Sequence, residues 1–246
     1  MNIGVILAGG IGQRMGADKP KQFLEVDGKA IIIYTLEAFE RHPLIDAVEV
    51  VCVESFQQSL WEMVRQYGLS KVRWITPGGD NCQASTRNGI YNLEQECSPD
   101  DIVVLHMAAN PLVEEEIITD CIRVTERYGN AASAEPVLAY TFMARDEQSS
   151  DRYIPREQVR LLNMPLGYRL GEMLEVYRAA YAEHKGIDGN VYADTLYVDY
   201  GKPVYFSKGS RRNIKITTPE DLLLFKAYLE IIREEEKQRG EVSGRH

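Results

Sequence analysis

Long apolar runs are missing from this sequence of 246 residues. None approaches the roughly 20 consecutive apolar residues that a helix needs to cross a bilayer, so we expect no membrane partner. Residues 1–7 contain neither the basic region nor the cleavage site of a signal peptide, which favours a cytoplasmic location. Repeats and low-complexity segments are also missing, and the 44% content of hydrophobic residues excludes intrinsic disorder of the whole chain.

Cysteine and histidine are both scarce, with four residues of each type. The cysteines stand at positions 52, 82, 97 and 121, where none forms a C-x-x-C pair and none has a histidine at metal-ligand spacing. This pattern indicates reduced structural thiols and not a disulfide framework or a cysteine-histidine metal site.

Positive charge is in deficit, because 28 Lys and Arg stand against 37 Asp and Glu, giving a net charge of −9. Nucleic acid demands a basic surface, so we expect no nucleic-acid partner. A small anionic ligand stays possible, because a pocket can be basic on an acidic protein.

Short apolar runs alternate with amphipathic stretches over the first half of the chain. We predict strands over residues 3–7, 49–53, 72–75 and 102–106, and helices over 31–41, 55–67, 82–95 and 114–128. Nearly continuous apolar strands are typical of a parallel sheet buried on both faces. The alternation therefore predicts an α/β fold with a doubly wound sheet.

The pattern changes after residue 131. Residues 137–163 are alternating and polar, which predicts a β-hairpin inserted into a single domain of residues 1–246. A helix over 170–183, strands over 203–206 and 213–216 and a last helix should follow. Thr218 is a suitable N-cap for that helix, with Pro219 at its first position. We expect it to end near residue 238, leaving residues 240–246 as a flexible tail.

A glycine-rich loop follows the first predicted strand. Residues 7–16 read L-A-G-G-I-G-Q-R-M-G, and Lys19-Pro20-Lys21-Gln22 come just behind. Glycines placed after a parallel strand let backbone N–H groups approach phosphate oxygens, and Arg14 and Lys21 add positive charge. The loop is not a P-loop. Its glycine spacing and the distant Glu54 fit a dinucleotide fingerprint poorly, which leaves an NAD(P)-binding oxidoreductase as a remote alternative.

Four segments in order resemble one family. They are the glycine loop with its P-K-Q; Pro77-Gly78-Gly79 with Ser85 and Asn88-Gly89; His106 to Pro111; and Asn213 to Thr217 with Pro219-Glu220-Asp221. Together they resemble the 2-C-methyl-D-erythritol 4-phosphate and ribitol-5-phosphate cytidylyltransferases over positions 2 to 229. The resemblance implies a GT-A-like, Rossmann-related, mostly parallel sheet. It also implies transfer of CMP from CTP to a polyol phosphate or phosphonate, with release of pyrophosphate.

The resemblance assigns roles to individual residues. Arg14, Lys21 and Lys215 would bind the phosphates, and Arg156 on the inserted arm would reach the substrate of a second subunit in a homodimer. Gly79, Asp80 and Ser85 would line the pyrimidine base. The nucleotide-binding set is completed by Leu7, Ala8, Gly9, Gly10, Gly12 and Ala108.

Several positions depart from the family pattern, mostly on the acceptor side. Met107 replaces an aspartate that holds Mg²⁺, and a thioether is too soft a donor for that ion. Asn110 and Cys82 replace arginines, while Met164, Leu166 and Ala193 replace polar residues and Asp194 is kept. The substrate pocket would therefore contain Met107, Asn110, Met164, Ala193 and Asp194. Two hypotheses follow: a cytidylyltransferase with a different acceptor, its Mg²⁺ held by nucleotide phosphates, water and Asp194, or a CTP-binding paralogue with impaired catalysis.

Overall fold

The computed structural model describes residues 1–10, 19–189 and 192–243. Its largest element is a seven-stranded sheet, and two smaller two-stranded sheets accompany it. In chain order the strands are β1 (Asn2–Ala8), β2 (Glu25–Val26), β3 (Lys29–Ala30), β4 (Ala47–Cys52), β5 (Val72–Pro77), β6 (Ile102–Met107), β7 (Asn130–Pro136), β8 (Thr141–Met143), β9 (Arg152–Ile154), β10 (Arg160–Arg169) and β11 (Phe206–Lys208). The helices are α1 (Ile31–Arg41), α2 (Gln57–Gln66), α3 (Cys82–Glu96), α4 (Glu115–Tyr128), α5 (Leu170–Glu183), α6 (Ala193–Asp199) and α7 (Pro219–Ser243).

The strand order in the large sheet is β11-β7-β10-β6-β1-β4-β5. The chain builds outward from β1 through β4 to β5 and then returns to β6 on the other side of β1. All these strands run parallel, and only β10 is antiparallel to its neighbours β6 and β7. The predicted doubly wound, mostly parallel sheet is confirmed. Ligands of such sheets bind where the winding direction switches, at the carboxyl ends of the strands.

Apolar side chains cover both faces of the sheet. Alternate residues of β1 face opposite sides, so Ile3 and Val5 pack with α3, α5 and α6, whereas Ile6 packs with α1, α2 and α4. A third cluster joins α7 to Ile216 and to the start of α1. In the described part of the chain, no helix is both long and apolar enough to cross a membrane.

Several boundaries differ from the sequence predictions. Residues 213–216 form no strand but an irregular segment, and the strand predicted over 203–206 lies at Phe206–Lys208. The sequence analysis also missed β7, β10 and α6, since their short or mixed patterns depend on distant partners. The expected hairpin is β8 paired with β9, but residues 160–163 already pair with β7 in the large sheet.

The last helix begins as predicted and ends later. Thr218 Oγ1 accepts a hydrogen bond from the backbone N–H of Asp221 at 3.3 Å, and Asp221 Oδ2 accepts from the N–H groups of Thr217 and Thr218. These bonds satisfy donors that a helix N-terminus leaves unpaired. The predicted end near residue 238 was wrong, since α7 extends to Ser243, and residues 244–246 lie outside the described residues.

A buried acid stabilises the packing of α3 on the sheet. Glu49 of β4 is 0% exposed, and its Oε1 accepts hydrogen bonds from Thr76 Oγ1 at 2.9 Å and Asn92 Nδ2 at 3.1 Å. Its Oε2 has no partner within the described residues. Burial raises the pKa of Glu49 from 4.5 to about 8, because the charged form loses its hydration. The side chain is therefore neutral at pH 7.

We expect Glu49 to make the protein less stable as the pH rises. Between pH 4.5 and 8 the folded state holds a proton that the unfolded state has lost, so each unit of pH reduces the free energy of unfolding by about 1.4 kcal/mol at most. Glu49→Gln mimics the neutral acid and should remove this loss. Urea unfolding of both proteins from pH 5 to 8 measures the difference. The exposed Glu147→Gln serves as the control and should keep the wild-type slope. If the free energy of unfolding depends on pH in the same way in wild type and in Glu49→Gln, Glu49 is not the group responsible.

Candidate active site

Two glycine loops meet at the carboxyl edge of the sheet. In the sheet, Leu7 of β1 lies beside Met107 of β6, and Ala8 lies beside Cys52 of β4. The loops that follow these strands therefore lie side by side. A Cβ added to Gly78 would lie 3.1 Å from the Cα of Gly9. A side chain at Gly78 would therefore push the two backbones apart, and glycine is what permits their approach.

Ser85 lies beneath both glycine loops. Its Oγ accepts a hydrogen bond from the backbone N–H of Gly79 at 3.0 Å, and a Cβ on Gly9 would come within 2.9 Å of the same oxygen. Asn81 caps α3 by accepting from the N–H of Ala84 at 2.8 Å. The N-terminus of α3 thus opens at the edge of the glycine loops, where its dipole favours an anion.

Gln22 attaches the P-K-Q segment to the first loop. Its Nε2 donates to the carbonyl oxygens of Ala8 at 2.7 Å and Gly10 at 2.9 Å, and the side chain is 2% exposed. These bonds place the neighbouring Lys21 at the cavity wall. The P-K-Q pattern alone does not predict this role of Gln22, because the partners of its side chain are backbone oxygens more than ten residues away.

A first cavity of about 270 Å³ lies between these loops. Most of the residues predicted to bind the nucleotide line this cavity. Its lining is Leu7, Ala8, Gly9, Gly10, Lys21, Gln22, Gly79, Asp80, Asn81, Cys82, Ser85, Met107, Ala108, Ala109, Tyr192 and Lys215. The predicted Gly12 and Arg14 lie outside the described residues.

A second cavity of about 230 Å³ adjoins the first. It is lined by Met107, Asn110, Leu162, Asn163, Met164, Leu166, Tyr192, Asp194 and Lys215. Met107, Tyr192 and Lys215 belong to both cavities and form their boundary. A molecule in one cavity would therefore touch the same three side chains as a molecule in the other.

The lysine at this boundary lies beside an aromatic ring. Lys215 Nζ lies 5.9 Å from the ring centroid of Tyr192, within the range of a cation–π interaction. Gln83 Nε2 donates to the carbonyl oxygen of Tyr192 at 3.3 Å, and Tyr177 OH donates to Gln83 Oε1 at 2.6 Å. Tyr192 was missed by the sequence analysis, since a single tyrosine in an irregular segment gives no pattern.

Two titratable groups near the boundary have shifted pKa values. Burial raises the pKa of Asp194, an effect that hydrogen bonds from backbone N–H groups, including that of Thr195, partly offset. Burial also raises the pKa of the Cys82 thiol, which the positive charge of Lys215 partly counteracts. Both shifts show that water has limited access to this boundary.

The side chains present do not make a protein-held site for Mg²⁺. Within the described residues, no three His, Cys, Asp or Glu side chains are placed to share a metal ion. Met107 offers a thioether where Mg²⁺ requires oxygen. The carboxylates that line the cavities are Asp80 in the first and Asp194 in the second.

His106, beside Met107, is a structural residue. It is fully buried, its Nε2 donates to the carbonyl oxygen of Asn110 at 2.9 Å, and its ring packs on Phe39. Burial lowers its pKa to about 4, so the ring is neutral. The neutral Nε2–H form fixes the turn between His106 and Asn110.

Two other predicted residues lie apart from the cavities. Arg156 is an exposed residue of the hairpin region, where its Nε lies 3.3 Å from Glu157 Oε1, and it lines neither cavity of its own chain. Ala193 is buried in the core and also lines neither cavity.

Comparisons of this chain with known proteins all find cytidylyltransferases. The family model for 2-C-methyl-D-erythritol 4-phosphate cytidylyltransferase matches residues 3–231. The ribitol-5-phosphate cytidylyltransferase of Lacticaseibacillus paracasei is 42% identical over 225 residues, which cover 92% of this chain and 96% of the relative. The 2-C-methyl-D-erythritol 4-phosphate cytidylyltransferase of Clostridium botulinum is 35% identical over 228 residues, covering 92% and 96%.

A solved structure agrees with these matches. The 2-C-methyl-D-erythritol 4-phosphate cytidylyltransferase of Francisella tularensis superimposes with a TM-score of 0.74 at 25% identity, covering 93% of this chain and 99% of that one. The matches give no support to the oxidoreductase alternative. Family model, relatives and fold agree over nearly the whole chain, and the protein therefore belongs to the 2-C-methyl-D-erythritol 4-phosphate cytidylyltransferase family of nucleotidyltransferases.

Proposed function

We propose that this cytidylyltransferase uses CTP as its donor and ribitol 5-phosphate as its acceptor. The observation that carries the proposal is the pair of adjoining cavities with Lys215 at their boundary. The relative from Lacticaseibacillus paracasei, named for ribitol 5-phosphate, supports this choice of acceptor. Two substrates in neighbouring cavities would meet at one lysine, which is the arrangement that group transfer needs.

The first cavity would bind CTP. The backbone of Ala8, Gly9 and Gly10 would wrap the triphosphate, and Lys21 would neutralise the leaving pyrophosphate. Gly12 and Arg14 would complete this cradle. Leu7, Gly79, Asp80, Ser85 and Ala108 would surround the nucleoside, and the family resemblance implies a base pocket that excludes purines.

The second cavity would bind the acceptor. Met107 and Met164 give it apolar walls, while Asp194 offers a hydrogen-bonding group for hydroxyls. An oxygen of the acceptor phosphate attacks the α-phosphorus of CTP, the bond to the bridging oxygen breaks, and pyrophosphate leaves with the electron pair. The attacking phosphate has a second pKa of about 6 and is already ionised at pH 7, so no base is needed. Lys215 would stabilise the negative charge that gathers at the α-phosphate.

Mg²⁺ is the cofactor that the family resemblance implies. When bound, it neutralises phosphate charge, and here its ligands would be nucleotide oxygens and water, with Asp194 as the nearby carboxylate. The alternative is a CTP-binding paralogue whose catalysis is impaired, and the replacement of the family's aspartate by Met107 favours it. Both proposals predict CTP binding, and turnover distinguishes them.

We also propose a homodimer formed through the inserted arm of residues 137–163. Tyr140, Phe142 and Tyr153 on this arm are large and exposed, with Tyr140 at 95%. Exposed apolar surface of this kind favours contact with another protein surface. Arg156 of one subunit would then reach the acceptor phosphate in the other. The free thiols, none of them in a disulfide, agree with a cytoplasmic location.

We expect pyrophosphate release with CTP and ribitol 5-phosphate and not with ATP, GTP or UTP. A panel that adds 2-C-methyl-D-erythritol 4-phosphate and a phosphonate acceptor, with Mg²⁺ or Mn²⁺, identifies the substrate. Lys215→Ala should reduce kcat by about 100-fold, the scale on which preorganised charge acts. Lys202→Ala is the matched control, because this lysine pairs with Glu172 and lines neither cavity. CTP binding without any pyrophosphate release would favour the impaired paralogue.

Met107→Asp should lower the Mg²⁺ concentration needed for half-maximal activity by about tenfold, because it adds a hard oxygen donor at the boundary of the cavities. Met107→Asn has nearly the same shape without the charge and should leave the requirement near that of wild type. The measurement is initial rate against Mg²⁺ concentration. An unchanged requirement in Met107→Asp would show that the lost carboxylate does not limit metal use.

Arg156→Ala and Lys215→Ala should each be nearly inactive alone and should complement each other when mixed. In a mixed dimer, one site combines an intact Lys215 with the intact Arg156 of the other subunit, so random exchange restores roughly a quarter of wild-type activity. Arg152→Ala, on the same hairpin, should be active without mixing. No recovery on mixing, or a monomer by sedimentation, would contradict the shared site.

A further inference from the structure

Within the part of the chain that the structure describes, the segment that carries Lys215 pairs with no strand. Residues 213–217 are irregular, so their backbone groups need hydrogen bonds from elsewhere. One is supplied by the backbone, because the N–H of Ile216 donates to the carbonyl oxygen of Ala109 at 2.8 Å. The N–H groups of Asn213, Ile214 and Thr217 bond locally, to Ser210, Arg212 and Asp221, and asparagine side chains from elsewhere bind the carbonyl oxygen of Asn213.

Three asparagines from distant parts of the chain converge on this segment. The carbonyl oxygen of Asn213 accepts from Asn163 Nδ2 at 2.8 Å and from Asn110 Nδ2 at 3.1 Å. Asn213 Nδ2 donates to the carbonyl oxygen of Met164 at 2.6 Å, and Asn163 Oδ1 accepts from the N–H of Met164 at 2.8 Å. Asn110 Nδ2 also approaches Asn163 Oδ1 at 3.3 Å.

The parts that these asparagines join are the walls of the second cavity. Asn110 follows β6, Asn163 and Met164 belong to β10, and Asn213 precedes Lys215 by two residues. Asn110, Asn163, Met164 and Lys215 all line the cavity. The position of the lysine relative to both cavities therefore depends on these bonds.

The network keeps a feature that stability alone does not explain. Asn110 and Asn213 are fully buried, yet the Oδ1 atom of each has no partner within the described residues. A buried acceptor without a partner lowers stability. Apolar side chains at these positions would avoid this cost. What they could not supply are the hydrogen bonds by which the three asparagines hold the backbone before Lys215.

We infer that Asn110, Asn163 and Asn213 form a positioning network that holds Lys215 at the boundary between the two cavities. The inference rests on the proposed function, in which Lys215 acts on the transferred phosphate. The asparagines touch no reacting atom in this account and act through the lysine. Loss of one donor would allow the segment to shift, and a displacement of about 1 Å can reduce a rate 100-fold.

Asn163→Ala is the variant that tests the network, since Asn163 is only half-buried and its loss should leave the fold intact. We expect kcat to fall between about 10-fold and 100-fold, while KM for CTP stays within about twofold of wild type. Asn130→Ala is the matched control, because Asn130 is a buried asparagine that bridges β7 to Pro203 and Tyr205, away from both cavities. Asn130→Ala should change stability but not kcat.

A double-mutant cycle separates positioning from general damage. If Asn163 acts through Lys215, then Asn163→Ala should have little further effect on kcat in the Lys215→Ala protein. If the two substitutions instead reduce kcat independently, so that their fold-losses multiply in the double variant, the inference is overturned. Absence of turnover in the wild type would instead refute the proposed function.

Hydrogen exchange tests the network without turnover. The protection factor of the Ile216 amide should fall at least about tenfold in Asn163→Ala and stay unchanged in Asn130→Ala. Unchanged protection of that amide in Asn163→Ala would overturn the inference even if the variant were slow.

Discussion

The close approach of Gly9 and Gly78 is the constraint on which the rest of the site depends. With a Cβ on Gly78 only 3.1 Å from the neighbouring Cα, any side chain there would separate the loop after β1 from the loop after β5. That separation would strain the second loop, whose Gly79 N–H donates to Ser85 Oγ. The first cavity therefore exists because two backbones can touch at the edge of the sheet.

The order of strands explains why this edge collects so many functional groups. The chain leaves β1 in one direction and returns to β6 on the other side, which brings the ends of β1, β4, β5 and β6 together. The irregular segment 213–217 then joins this edge through Ala109 and adds Lys215. Met107 and Lys215, about 100 positions apart in the chain, thus share one boundary between two cavities.

What could be predicted from the sequence was decided by local patterns. Buried strands and the Thr218 cap each depend on neighbouring residues, and the structure contains both, together with Gly9 and Gly10 of the glycine loop. The segment 213–216 looks like a strand because its apolar residues alternate, but Ile214 and Ile216 pack on α7 and no strand lies beside them. The role of Tyr192, the bonds of Gln22 and the asparagine network were not predicted, because they depend on contacts between distant parts of the chain that leave no local pattern.

The net charge of −9 gives a poor account of the field inside the cavities. Surface charges more than about 10 Å away are largely screened at ordinary ionic strength, so the nearby groups decide what binds. Among the described residues, Lys21 and Lys215 line the first cavity together with a single carboxylate, Asp80. Backbone N–H groups of the glycine loops and the dipole of α3 add positive potential without any charged residue. A triphosphate in this cavity would therefore meet positive potential on an acidic protein.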